Sequence, residues 1–221
     1  MKHEKKGKTM AREIVKKVPV KFKGGRKGLA VLYSDGLIRV DGVRFSYPHL
    51  RKPYAGDGEG EAKYGVTGLL PKKGNEAAKK LIEGRIAELM KENKVKALGS
   101  DKKFLRDGDE SDKEEHEGYW TISAREIRKP PLRNSSGETV EPEDIEELFQ
   151  PGFWGSILIR PWFQNNKYGK RVNAGLSSAQ MICEDETFGE GRISDDELDD
   201  IYDSYDDDID VDDEDDDDID I

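Results

Sequence analysis

Residues 153-FWGSILIRPWF-163 and 172-VNAGLSSAQMI-182 flank 164-QNNKYGKR-171. The outer runs are rich in aromatic and aliphatic residues and read as strands; the Asn- and Gly-containing middle reads as a hairpin connection. Alternation along the first run puts Leu158, Arg160 and Trp162 on one face and Ile157, Ile159 and Phe163 on the other. One side of the hairpin can enter a core. The other carries Arg160 and Trp162 next to Lys167, Tyr168, Lys170 and Arg171.

Moving outward from this hairpin, further short β-type runs precede it: 29-LAVLY-33, 37-LIRVDGVRFSY-47, 63-KYGVTGLLP-71 and 119-YWTISAREI-127. Gly28, Gly36, Gly42 and Gly74 punctuate them, and Pro71, Pro130 and Pro131 stop them. One helix interrupts the series. In 75-NEAAKKLIEGRIAELMKENK-94, Ala78, Leu81, Ile82, Ile86, Leu89 and Met90 recur at three- and four-residue spacing, with Asn75 as N-cap. A short helix fits 142-PEDIEELF-149, and the charged stretch 99–118 reads as loop. Several short strands, one main helix and many Gly turns predict a mainly β fold, a small, partly open β-barrel.

The net charge of -11 over 221 residues conceals a division. From Glu184 onward 22 acidic residues face a single basic one, Arg192, a net of -21 that leaves +10 for residues 1–183. The expected organisation is therefore a basic N-terminal arm or added strand over residues 1–37, with residues 1 to about 17 mobile, a β domain over 38–189, and a disordered acidic tail over 190–221. A basic body suits an anionic partner, because each Lys or Arg near a phosphate releases condensed counterions. The N-terminus is charged without the apolar run of a secretory signal, and no stretch approaches the roughly 20 apolar residues of a membrane span. With one cysteine, Cys183, the chain fits a reducing compartment, and host-cell cytoplasm is the expected location.

Three basic-aromatic segments are candidates for contact with nucleic acid. Arg160, Trp162, Lys167, Tyr168, Lys170 and Arg171 belong to the hairpin. Arg125, Arg128, Lys129 and Arg133 surround a Pro-Pro stop, and Arg44, Arg51 and Lys52 alternate with Phe45, Tyr47 and Tyr54. Rings stack on unpaired bases without reading their identity, at about 1–3 kcal/mol per base, while cations follow the phosphates. The competing reading places Trp162 in the core and leaves the cations solvated.

Catalytic patterns are weaker. Asp57 with Glu61 and Lys63 imitates the carboxylate and lysine set of metal-dependent nucleases, but the surrounding Gly56, Gly58 and Gly60 argue for a loop and not a rigid metal site. His3, His49, His116 and Cys183 are too scattered for a structural zinc site. No glycine-rich phosphate loop occurs. The expectation is a protein without catalytic residues, metal or cofactor.

Six blocks in order, 42-GVRFSYPHLRKPY-54, 63-KYGVTGLLPK-72, 104-FLRDGDE-110, 119-YWTISAREIRKPP-131, residues 151–182 and residues 184–189, resemble the single-stranded DNA-binding proteins of tailed phages. The resemblance covers about residues 38 to 190. It implies an OB-type barrel without enzymatic activity that binds single strands regardless of sequence during phage replication or recombination. On the matched blocks it carries over Tyr47, Lys63, Tyr64, Arg125, Arg128, Lys129, Arg160, Trp162, Tyr168 and Lys170. The tail has counterparts in unrelated single-stranded DNA-binding proteins, so replication or recombination proteins are expected partners of the tail. A homo-oligomer is left open. The alternative from another class is an acidic-tail interaction protein that mimics DNA or chaperones basic proteins.

Overall fold

The long hairpin and the strands before it assemble into one sheet. A computed structural model describes residues 11–56 and 60–189. The acidic tail, Asp57, His3 and the rest of the first ten residues lie outside the described residues. The strands are β1 (Ile14–Phe22), β2 (Arg26–Tyr33), β3 (Ile38–Tyr54), β4 (Lys63–Pro71), β5 (Leu105–Asp107), β6 (Tyr119–Glu126), β7 (Leu132–Arg133), β8 (Trp154–Asn166) and β9 (Gly169–Cys183). The helices are α1 (Glu76–Glu92) and the single turn α2 (Ile145–Leu148). The sheet order is β5-β6-β4-β3-β8-β9-β7, and the hairpin β1–β2 joins through β2 and β3.

The sheet curls into a partly open barrel. Residues 103–104 link its two ends through the backbone: Lys103 bridges Val172 of β9, and the Phe104 carbonyl accepts from Ser123 of β6. Two close approaches make the curl possible. At Gly155 a Cβ would lie 1.8 Å from the Phe45 ring, so only glycine lets that ring into the core. At Gly42, φ is +69° and the Phe22 ring lies over the Cα, where the register between β3 and β8 shifts.

Core side chains follow the alternation. Ile157, Ile159, Ile122, Leu70, Phe45 and Leu176 are all buried, each worth about 1.5–3 kcal/mol of transfer free energy. Helix α1 buries Ala78, Leu81, Ile82, Ile86 and Leu89, while Met90 is only partly covered. Asn75 stands at the N-cap position but makes no side-chain cap bond. Its buried amide instead accepts from the Lys21 amide at 2.7 Å and donates to the Lys21 and Pro71 carbonyls. It therefore ties the helix start to β1 and β4.

Three boundaries differ from the sequence reading. Ile14 to Lys17 are strand and not mobile arm, because Val18, Val20 and Phe22 give β1 an alternating inner face that holds the whole hairpin in register. Strands β8 and β9 run on through the polar stretch until Asn166 faces Gly169, leaving a two-residue turn. The charged stretch 99–118 contributes β5 and several short 3-10 turns. Among the described residues no helix is long and apolar enough to cross a membrane.

Candidate nucleic-acid interface

Outward-facing residues of β6, β8 and β9 share one surface. Ser123 and Arg125 on β6, Trp162 and Gln164 on β8, and Arg171 and Asn173 on β9 line a groove of about 580 Å³. Lys63 at the start of β4, Tyr54 at the end of β3, and Lys103 and Arg106 complete it. Five cationic side chains (Lys63, Lys103, Arg106, Arg125 and Arg171) face one carboxylate, Glu61, so the field in the groove is positive. Trp162 is 45% exposed and Tyr54 51%, which presents ring surface to a ligand.

A second crevice of about 240 Å³ shares Tyr54, Lys63 and Arg125 with the groove and prolongs it to Tyr47, His49 and Lys113. His49 stacks on Tyr54 with ring centroids 4.6 Å apart. Burial, and then the Arg125 charge, hold the His49 imidazole below its ordinary range, so it is neutral at pH 7. Tyr47 has φ of 49°, a left-handed conformation that costs a bulky residue about 1–3 kcal/mol. Its hydroxyl donates to Glu115 at 3.2 Å, the Lys113 ammonium stands 5.7 Å from its ring, and the buried His116 meets it edge-on. His116 is itself fixed between the hydroxyls of Ser46 and Ser111.

The backbone around the groove is braced by its own cations. Arg171 and Arg106 both donate to the Asp101 carbonyl, at 2.8 and 3.1 Å, and Arg106 also donates to the Lys103 carbonyl. Their forks are thereby pre-oriented, which lowers the entropy lost when an anion is bound.

Of the residues expected from sequence, the groove and its prolongation gather Tyr47, Lys63, Arg125, Trp162 and Arg171. Lys167, Tyr168 and Lys170 form the exposed tip of the β8–β9 hairpin beyond Gln164 and Arg171, with the Lys167 ammonium 5.0 Å from the Tyr168 ring. Arg128 and Lys129 are exposed in the bend after β6, and Lys52 near the end of β3. Tyr64 lies on the other face of β4 from Lys63 and lines neither cavity. Arg51 pairs with Glu146 at 2.9 Å.

Two expected contacts have other partners. Arg44 lies between the Trp154 and Phe188 rings, at 5.5 and 4.3 Å, and donates to the carbonyls of Gly152 and Glu186, each at 2.8 Å. With Trp154 donating to Asp185, it anchors the segment after β9. Arg160 points outward like Trp162, but its guanidinium donates to the carbonyl and carboxylate of Asp35. Asp35 also accepts from Arg12, whose hydrogen bond is the main reason its carboxyl stays below the ordinary range.

Lys103 and Arg106 in the groove, and Lys113 in its prolongation, fall in the charged stretch that reads as loop, and 102-KKFLRD-107 offers no periodic signal to single them out. Among the described residues no group of His, Cys, Asp and Glu side chains is placed to hold a metal ion. Glu61 and Lys63 line the groove, and Asp57 lies outside the described residues.

Comparison with known proteins follows the same line. A family model described as Enterobacter phage Enc34, ssDNA-binding protein, matches residues 37–212. The solved single-stranded DNA-binding protein of bacteriophage Enc34 in complex with ssDNA is 46% identical, with a TM-score of 0.69, covering 72% of this chain and 93% of that one. A C-terminal truncation of the same phage protein is 43% identical, with a TM-score of 0.72, covering 82% of this chain and all of that one (100%). A further structure of the phage protein is 44% identical, with a TM-score of 0.67, covering 83% and 98%. No curated protein sequence matches the chain.

Proposed function

The chain belongs to the phage Enc34 family of single-stranded DNA-binding proteins, and we propose that it binds single-stranded DNA without regard to sequence and without catalysis. The observation that carries this reading is the groove, which five cations from β4, β5, β6, β9 and the segment before β5 line together with the exposed Trp162 of β8. Phosphates follow the cations and unpaired bases stack on Trp162, Tyr54 and Tyr47, a mode indifferent to base identity. A coated strand stays unpaired and is available for replication or recombination in the infected cell.

The acidic tail fits this role as a competitor. The segment from Glu184 onward, with net charge -21 and tethered to a body of +10, is held at high effective concentration near cationic surfaces. It occupies them weakly in the absence of DNA, and a bound strand frees it for basic replication partners, with Ile209, Val211, Ile219 and Ile221 as apolar anchors. Deleting residues 190–221 tests this. Tighter binding of oligothymidylate by the shortened chain, with a weaker response to salt near the low-salt limit, is expected. Unchanged affinity would remove competition from the reading. The alternative, an interaction protein that works through its tail, requires instead that the shortened chain lose its function while the groove residues prove dispensable.

A further inference from the structure

The outward face of β8 does not end at the groove. Leu158, Arg160 and Trp162 succeed one another along it, and about 13 Å of strand separates Leu158 from Trp162. Leu158 floors a separate cavity of about 410 Å³, within the range of small-ligand sites. Three arginines from three different elements reach its rim: Arg12 before β1, Arg39 on β3 and Arg133 on β7. Tyr33, half-buried at the end of β2, supplies an aromatic wall, and Ser178 of β9 pairs with Leu158 across the floor.

The charge and hydrogen bonding of this cavity favour an anion with an apolar portion. Arg12, Arg39, Arg133 and Arg160 face two carboxylates, Asp35 and Asp41, which leaves the region positive. Arg39 is paired with Asp41, its Nη2 donating to one carboxylate oxygen at 3.4 Å and its Nε 3.2 Å from the other, although the buried Nε makes no aligned hydrogen bond. Asp41 is already served by the Leu29 amide at 3.0 Å and the Ser156 hydroxyl at 2.6 Å. Because Asp41 is shared among Arg39, Leu29 and Ser156, it leaves part of the Arg39 positive field to a phosphate in the cavity. The Arg133 guanidinium bonds Thr139 and is otherwise exposed.

Between the two cavities lies Gly175, paired with Arg160. A Cβ there would stand 3.2 Å from the Glu126 carboxylate, so the crossing is low and carries one negative charge. A strand passing over it turns sugar or base toward the protein there, and phosphate toward the arginines on either side.

We propose that the cavity of Arg12, Arg39, Arg133 and Tyr33 is a second subsite for single-stranded DNA, taking a nucleotide of the strand that leaves the groove at Trp162. Its phosphate meets the arginines and its base packs on Tyr33 and Leu158. The subsite rests on the reading of the groove as the primary DNA site, and it makes the bound length of strand longer than the groove alone requires.

The test compares the full chain with Arg39→Ala/Arg133→Ala on two oligothymidylates, one of about 5 nucleotides and one of about 15, within the span of site sizes for such barrels. For the long oligonucleotide, the double variant should bind more weakly and show a log–log salt slope shallower by about 1.4, two cations at about 0.7 each for single strands. For the short one it should match the wild type. Arg39→Lys/Arg133→Lys should recover the slope on the long oligonucleotide, which a folding defect would not allow. A double variant indistinguishable from wild type at both lengths would overturn the subsite alone. Wild-type protein that binds neither length would overturn the groove and the subsite with it. Equal weakening at both lengths would place the two arginines outside a separate subsite.

Discussion

The Phe104 amide donates to the Val172 carbonyl at 3.0 Å, and this bond, with the neighbouring Lys103–Val172 bridge, joins the two ends of the sheet beneath the groove. The link between the sheet ends and part of the cationic lining of the groove are thus built from the same few residues. Residues 103 to 106 fill the gap between β6 and β9 with the Phe104 side chain and turn Lys103 and Arg106 toward the groove.

Removing Lys103 and Arg106 should therefore act on phosphate contact. Lys103→Ala/Arg106→Ala is expected to make the log–log salt slope of oligothymidylate binding shallower by about 1.4. Arg51→Ala, which removes only an exposed pair with Glu146, should leave it unchanged. Fluorescence titration at several salt concentrations measures both.

Trp162→Ala should weaken binding by about 1–3 kcal/mol, the cost of one lost stacking platform. The circular dichroism spectrum should not change, since the ring is 45% exposed and contributes little to the core. A loss of stability without a loss of affinity would return Trp162 to a packing role.

Arg44→Ala separates folding from binding. Arg44 makes two charge-assisted bonds to carbonyls and stands between two rings, so its loss should lower stability by about 2–4 kcal/mol in urea unfolding. The salt slope for DNA should stay that of the wild type. A shallower slope with unchanged stability would make Arg44 a phosphate contact instead.

The pH dependence of binding has a definite sign. Burial and the Arg125 charge depress His49 in the free protein, and a phosphate beside Arg125 offsets that charge. The His49 affinity for a proton is then higher in the complex than in the free protein. Binding should take up protons and tighten as pH falls from about 7.5 toward 5.5, through the ordinary histidine range. His49→Gln should flatten this rise. The same depression acts on folding with the opposite consequence: a histidine held low in the folded state stabilises fully above its unfolded value, near 6.5, and that contribution is lost as pH falls below it.

The fold was legible where alternation or helical spacing was strong. The β8–β9 hairpin and the buried stripe of α1 stand where the sequence places them, since one apolar face in each settles the register. The groove was legible only in part. Trp162, Arg125, Lys63, Tyr47 and Arg171 come together as their types suggest, but Arg44 and Arg160 have the same local composition and different partners. Arg44 is claimed by Glu186 and Phe188, and Arg160 by Asp35, each more than 100 residues away. Arg106 and Lys103 were hidden for the converse reason. Three-residue β5 has too few positions for a periodic signal, and its place is set by β6 and Val172.

The most direct measurement is photocrosslinking of the full chain to a short single-stranded oligonucleotide carrying 5-bromodeoxyuridine, followed by peptide mapping. Adducts at Trp162, with Tyr54 or Tyr47, are expected, and they should disappear as salt is raised. Adducts confined to residues that line neither the groove nor its prolongation, such as Tyr64 or Tyr119, would contradict the groove as the site of DNA binding.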